Sequence, residues 1–305
     1  MRTYGICVAS AFAVASRRAW SATETLGAYL DEISIAAGVE HSCAIYLPSN
    51  QNVAGRVVCW GDNQGGQCSA PAGEFVQISC GRLHSCGIRQ DETIECWGSG
   101  IIEKAPEGIY QQVSSGDFHS CGLLRDHSIR CWGEALSEET TPPKGSFVQV
   151  SCGRGYTCAV KDHGQGYCWG ENSQGQCDVP SNISFLQISA SSGDFTCGVT
   201  TDFAVICWGN NSRMQCSVPQ NHQFILVSAG RFSACGLTKA RYIVCWGLRS
   251  GVTSAPKDTQ FDEIAIGSNH GCGLGHSDGK IQCWGDRSQN KLLPKQTFSP
   301  VHTLT

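Results

Sequence analysis

The tripeptide Cys-Trp-Gly recurs seven times, with its tryptophan at Trp60, Trp97, Trp132, Trp169, Trp208, Trp246 and Trp284. Successive gaps are 37, 35, 37, 39, 38 and 38 residues, and of the eight tryptophans only Trp20 lies outside the set. A period of this length marks a solenoid, a propeller or an array, in which each unit buries its apolar face on the next. Further fixed points keep the same phase. A glycine (Gly38, Gly81, Gly116, Gly153, Gly193, Gly230, Gly267) precedes a cysteine by five residues in six units. In the fifth the gap is four, with extra residues just before the glycine, which predicts a small bulge. Ten or so residues past each tryptophan comes a proline, from Pro71 to Pro294. An aromatic then stands three residues ahead of a β-branched residue, as in Phe75/Ile78 and Phe261/Ile264.

Within the second unit, Ser85-Cys86-Gly87-Ile88 and Thr93-Ile94-Glu95-Cys96-Trp97 flank the polar turn Arg89–Glu92. Short β-rich runs around a polar turn predict a hairpin. No stretch of a dozen residues keeps a helical period free of Gly and Pro, so helix is excluded as the main element. If Cys86 and Cys96 face each other, the midpoint is residue 91, inside the turn. The same ten-residue spacing joins Cys121 to Cys131, Cys158 to Cys168, Cys197 to Cys207 and Cys235 to Cys245. Cys272 and Cys283 are one residue further apart; Cys43 and Cys59 are six further, through the polar 48–55 turn. Opposed strand residues have α-carbons about 4.5–5.5 Å apart, a separation that suits a disulfide. Seven cross-hairpin disulfides are therefore expected.

A hairpin, a Pro-bounded loop and one further strand per unit predict roughly four short strands each. Seven such sheets set radially make an all-β, seven-bladed β-propeller of about 37-residue repeats, with Trp, Ile and Val between blades. An open solenoid is the rival. Closure of the ring by the chain termini is favoured because Pro294, Phe298 and Val301 repeat the strand signature after the last unit. The first unit instead has Glu32 where its aromatic belongs. The tail, residues 296–303, is expected to pair in the first blade.

Gly81-Arg-Leu-His84-Ser85-Cys86 and Cys168-Trp169-Gly170-Glu-Asn172-Ser-Gln-Gly175-Gln176 resemble the repeat of the regulator of chromosome condensation family, over residues 33–303. That resemblance implies a seven-bladed propeller. The doubled cysteines and short loops are most similar to its extracellular branch, which includes crinkly-type receptor ectodomains and the propeller-type β-lactamase inhibitory protein. No exchange wedge or basic arm of the nuclear member can be matched to residues here.

Composition narrows the function. Lys plus Arg is 22 against Asp plus Glu 26, a net charge of −4, so no global basic field exists to hold nucleic acid. No run of 18 apolar residues occurs, so no membrane span is expected. Cys-x-x-Cys and His-Glu-x-x-His are absent from the sequence, and no cofactor, metal or catalytic residue is assigned. His41, His84, His119 and His270 share one repeat position with Tyr156, Phe195 and Ser233, which points to packing rather than ligation. Glu40, Asp117 and Asp194 likewise sit at repeat positions and form no unique acid–base pair.

Residues 1–22 read as a signal or transit segment and 23–305 as a single propeller domain. The apolar run 6–15 after Arg2 suits secretion, whereas Arg17, Arg18 and the lack of acids in residues 1–23 suit an organelle leader. Asn182 and Asn210 begin glycosylation sequons. Cys7, Cys68, Cys80, Cys152, Cys177 and Cys216 fall outside the seven pairs. Together these features predict a secreted or cell-surface, non-enzymatic module that binds a protein ligand or receptor, with organelle or cytosol as the alternative location. The recognition loops expected are 48–55, 62–70 and 134–141. The alternative functions are guanine nucleotide exchange on a small GTPase and inhibition of a secreted enzyme.

Overall fold

Each unit folds into a three-stranded antiparallel sheet, seven in all, in a computed structural model that describes residues 34–46, 55–99, 104–133, 141–248, 251–288 and 291. Blade 1 comprises Ser34–Ala37, His41–Tyr46 and Arg56–Gly61, and blade 2 comprises Phe75–Cys80, His84–Arg89 and Ile94–Gly98. Blades 3 to 6 occupy 110–133, 147–170, 185–209 and 224–247. Blade 7 is Phe261–Ile266, His270–Gly275 and Ile281–Gly285. The aromatic-bearing strand is innermost, the His/Cys strand lies in the middle and the Cys-Trp-Gly strand is outermost.

The fourth strand expected per unit is not formed among the described residues. After Trp60, Trp169 and Trp208 the chain turns back on itself instead: Asn63 Oδ1 accepts from Cys68 N at 2.8 Å and Gln67 Oε1 from Gly65 N at 2.8 Å. Asn172, Gln176, Asn211 and Gln215 repeat these two bonds in the fourth and fifth blades. Short polar side chains that bond nearby backbone compete with a sheet ladder, and here they win.

A strand alternates its faces, so residues three apart would point opposite ways. Phe75 and Ile78 nonetheless lie in one core cluster. A bulge between Phe75 and Gln77 absorbs one residue, and the same shift recurs in blades 3 to 7. It aims the aromatic and the β-branched residue into the same seam.

The core is inter-blade. Phe261, Ile264 and Trp284 of blade 7 pack on Cys235 and Leu237 of blade 6, and Phe224, Val227 and Trp246 on Cys197 and Val199 of blade 5. The tryptophan meets its own blade's aromatic at ring separations such as 5.7 Å for Phe75–Trp97 and 5.8 Å for Phe224–Trp246. Burial of such side chains contributes about 1.5–3 kcal/mol each.

The ring closes between blades 7 and 1. Trp60, Ile35 and Ala44 share a cluster with Ala265 and Cys272, and the ring Nε2 of His270 lies 2.7 Å from Ser42 Oγ. Around the axis, a Cβ added to Gly38, Gly81, Gly116, Gly153, Gly230 or Gly267 would come within 2.2–2.7 Å of a carbonyl oxygen in the following blade, Gly267 meeting Gly38. Blades can approach this closely only where no side chain intervenes. In blade 5 the loop is one residue longer, as the short Gly193–Cys197 gap foretold, and Gly193 makes the approach, to the Arg231 carbonyl of blade 6.

Ser34–Ala37 occupies the innermost position of blade 1 and pairs with His41–Tyr46. The proposed tail strand 296–303, and Glu32 with it, lie outside the described residues.

Candidate functional site

Two kinds of polar group line the propeller, and they differ in whether a neighbouring blade uses them. The first kind stitches blades together. Gln77, Gln112, Gln149 and Gln187 each accept through Oε1 from a backbone N–H of the next inner strand, at 2.8–3.0 Å. Ser79, Ser114, Ser151, Ser189 and Ser228 do the same through Oγ at 2.8–3.1 Å. This Phe-x-Gln-φ-Ser pattern escaped the sequence reading, although it stands in consecutive units.

The repeat histidines belong to the same scaffold. Nε2 of His41, His84 and His119 lies 2.8, 3.0 and 2.7 Å from the hydroxyl of Ser85, Ser120 and Thr157 in the next blade. Desolvation holds His41 and His84 at about 3, and His119 and His270 at about 4, so all four are neutral. Buried groupings of His41, Cys43 and Cys80, and of His119, Cys121 and Cys152, have metal-ligand character on paper. Cys43 and Cys121 are disulfide-bonded, however, which removes a thiolate from each set.

Seven disulfides join Cys43–Cys59, Cys86–Cys96, Cys121–Cys131, Cys158–Cys168, Cys197–Cys207, Cys235–Cys245 and Cys272–Cys283, each between directly opposed residues of the middle and outer strands. Of the other cysteines, Cys68, Cys177 and Cys216 donate to the carbonyls of Asp62, Glu171 and Asn210 in equivalent turns. Burial pushes the thiols of Cys177 and Cys216 up to about 12 and about 11, and raises Cys80 further. They are poor nucleophiles. Asn182 is exposed, whereas Asn210 is half-buried with its Oδ1 accepting from Ser212 N.

The second kind of polar group faces outward. The loops from inner to middle strand gather at one end of the axis, around a narrow channel of about 60 Å³ lined by all seven blades, largely by Ser, Ala and Gly. Besides Glu40 of blade 1, which Lys291 pairs, five charged residues stand round its mouth in alternating sign: Arg82, Asp117, Arg154, Asp194 and Arg231, from blades 2 to 6 in turn. The three arginines are exposed. Asp117 reaches over blade 4 to accept from Ser192 Oγ at 2.6 Å. Burial raises the carboxyls of Asp117 and Asp194, while the neighbouring arginines pull them back down. The guanidinium of Arg82 lies 5.4 Å from the ring centroid of Phe118, and that of Arg231 lies 5.0 Å from Phe232.

The segments after Trp60, Trp208 and Trp284 start on this same face: Asp62 N donates to Glu40 O, Asn210 N to Asp194 O and Asp286 N to Asn269 O, each at 2.9 Å. Of the three expected recognition loops, 62–70 is thereby placed at the mouth end. The 48–55 and 134–141 loops lie outside the described residues but for Gly55 and Thr141. No helix among the described residues is long and apolar enough to cross a membrane.

A profile of the Regulator of chromosome condensation (RCC1) repeat matches residues 75–100, 110–135 and 147–176. The crinkly ectodomain of the Arabidopsis thaliana receptor kinase ACR4 is similar in structure, with a TM-score of 0.72 and 25% identity over 87% of this chain and 98% of that one. The ectodomain of the Physcomitrella patens receptor kinase CR4 gives 0.71 and 24%, covering 84% and 73%. Prp20p of Saccharomyces cerevisiae shares the fold at 0.63 and 15%, covering 74% and 76%. No curated protein sequence matches the chain.

Proposed function

We infer that this chain, which belongs to the regulator of chromosome condensation (RCC1) repeat family, is an extracellular, non-enzymatic protein-binding module that meets its partner through the channel-mouth face. The observation that carries this reading is the contrast between the two sets of polar groups. The scaffold's Gln, Ser and His side chains are engaged by neighbouring blades, whereas Arg82, Arg154 and Arg231 project into solvent beside Leu83, Phe118 and Phe232. Loops held by a rigid frame are where recognition concentrates. Aromatic and arginine side chains are the residues that anchor protein interfaces.

Seven disulfides favour an oxidising compartment, and two similar structures are receptor ectodomains. Prp20p, similar in fold, binds Gsp1p and histones, both protein partners. The test is site-specific photo-cross-linking on cells of the native source. A cross-linker replacing Leu83 should yield discrete protein adducts, and one replacing Thr93 or Asp126 in the opposite-face turns should not. Labelling from the turns alone, or none from either face, would refute the assignment.

A further inference from the structure

The mouth carries chemistry more specific than a generic interface. Among the described residues none of the three mouth arginines is paired with a carboxylate, yet two of them are held over aromatic rings. A cation–π contact orients a guanidinium while leaving its edge donors open. All three arginines act on Asp117 electrostatically, so they converge on one opening rather than on separate patches. Asp117 is held by Ser192 Oγ at 2.6 Å, and among the described residues neither Asp117 nor Asp194 pairs directly with a mouth arginine.

Resting on the reading above, we propose that the channel mouth binds an acidic peptide segment of the partner, each of Arg82, Arg154 and Arg231 taking one carboxylate. Guanidinium forks match carboxylates bidentately. The alternation decides between anions. A continuous phosphodiester backbone would set charge against Asp117 and Asp194 as well as against the arginines. Discrete carboxylates on a peptide can be spaced to meet the arginines alone, and uncharged side chains then cover the two acids. Of the serines that line the channel beneath, Ser268 keeps a buried hydroxyl without a partner among the described residues.

Random-peptide display against the immobilised full chain tests this, with calorimetric titration of capped hexa-aspartate, capped hexa-asparagine and inorganic phosphate. Enriched peptides should be acidic and should compete with hexa-aspartate, while hexa-asparagine should not bind. Each of R82Q, R154Q and R231Q should weaken binding roughly tenfold, the equivalent of one charge-assisted hydrogen bond. Their melting temperatures should stay at the wild-type value, since all three side chains are exposed. Raised salt should weaken binding further. Non-acidic peptides that bind the triple variant as well as the wild type would overturn the acidic-ligand assignment and leave the binding face standing. Phosphate bound as tightly as hexa-aspartate would make the mouth a general anion site and also overturn it. Loss of all peptide binding together with all cross-linking at Leu83 would instead remove the face itself.

Discussion

At the scale of single residues, Glu263 holds a place that glutamine fills in four other inner strands. It accepts from Ile35 N across the seam between the last and first blades, as Gln77 does from Val113 N. Burial pushes its carboxyl up to about 8, so at neutral pH it is protonated and can stand in for the amide. An unfolded glutamate loses that proton near 4.5, so between about 4.5 and 8 the folded state binds the extra proton and stability falls as pH rises. The buried histidines act in the opposite sense. Free imidazoles titrate near 6.5, whereas the folded values are about 3 to 4, so stability drains as pH falls below 6.5. Four unfolded histidines, half protonated at pH 6.5, still outweigh one glutamate there, and the two effects balance near pH 7. Thermal melts should therefore peak at about pH 7. Glu263→Gln should abolish the decline up to pH 8 and stabilise the protein there by on the order of a few kcal/mol, leaving the acid limb intact. A wild-type curve that stays level from pH 7 to 9 would show that Glu263 carries no buried proton.

At the scale of the blade, the inter-blade core is supplemented by hydrogen bonds that one inner strand offers the next. Gln149 donates through Nε2 to Ile188 O at 2.6 Å and accepts from Ile188 N at 2.8 Å, closing a small ladder between blades 4 and 5. Gln149→Leu leaves both backbone groups buried and unpaired. Blade 6 already carries Leu226 at this place and keeps only the Ser228 bond to Ile266 N. The substitution should cost about 1–3 kcal/mol, read as a lower urea midpoint with unchanged slope. Each disulfide closes a short hairpin loop, and replacing Cys86 and Cys96 together by serine should cost on the order of 2–3 kcal/mol by the same measurement. The hairpins and their order were legible because Cys-Trp-Gly and the ten-residue spacing are local signals. The glutamines were not, because a polar residue in a strand reads as solvent-facing, and the partner that buries it lies a whole repeat away. The fourth strand was misread for a related reason: periodicity reveals that a segment recurs but not that Asn63 and Gln67 fold it back. The mouth charges escaped likewise. Asp117 and Asp194 were visible as repeat positions with differing neighbours, and their alternation with Arg82, Arg154 and Arg231 exists only once a ring brings them round one opening.

At the scale of the whole molecule, the question is where a ring without a covalent closure gives way. Blades 2 to 6 are joined to their successors by paired Gln and Ser bonds as far as the fifth, then by Ser228 alone. At the last seam Ala265 replaces the serine and Glu263 the glutamine. What compensates is Lys291. Its carbonyl accepts from Trp60 Nε1 at 2.9 Å, as those of Gln67, Gln176, Gln215 and Val252 accept from Trp97, Trp208, Trp246 and Trp284. Its ammonium, 1% exposed as a residue, pairs with Glu40 of blade 1 and Asp286 of blade 7. One residue thus clasps both ends of the ring. Lys291→Ala keeps the carbonyl but strands two carboxylates side by side. Both are about a third exposed, so solvent screens part of the loss, and the cost should be about 1–2 kcal/mol. Ending the chain at residue 290 removes the carbonyl as well. That truncation should red-shift tryptophan emission as Trp60 meets water, lower the melting temperature by more than Lys291→Ala, and promote association through the opened blade edges. Ending the chain at 295 separates this clasp from a tail strand. If closure rests on Ser34–Ala37 and Lys291, the 295 truncation melts like the full chain. If it melts like the 290 truncation, residues 296–303 supply the closing contact and Lys291 only leads into it.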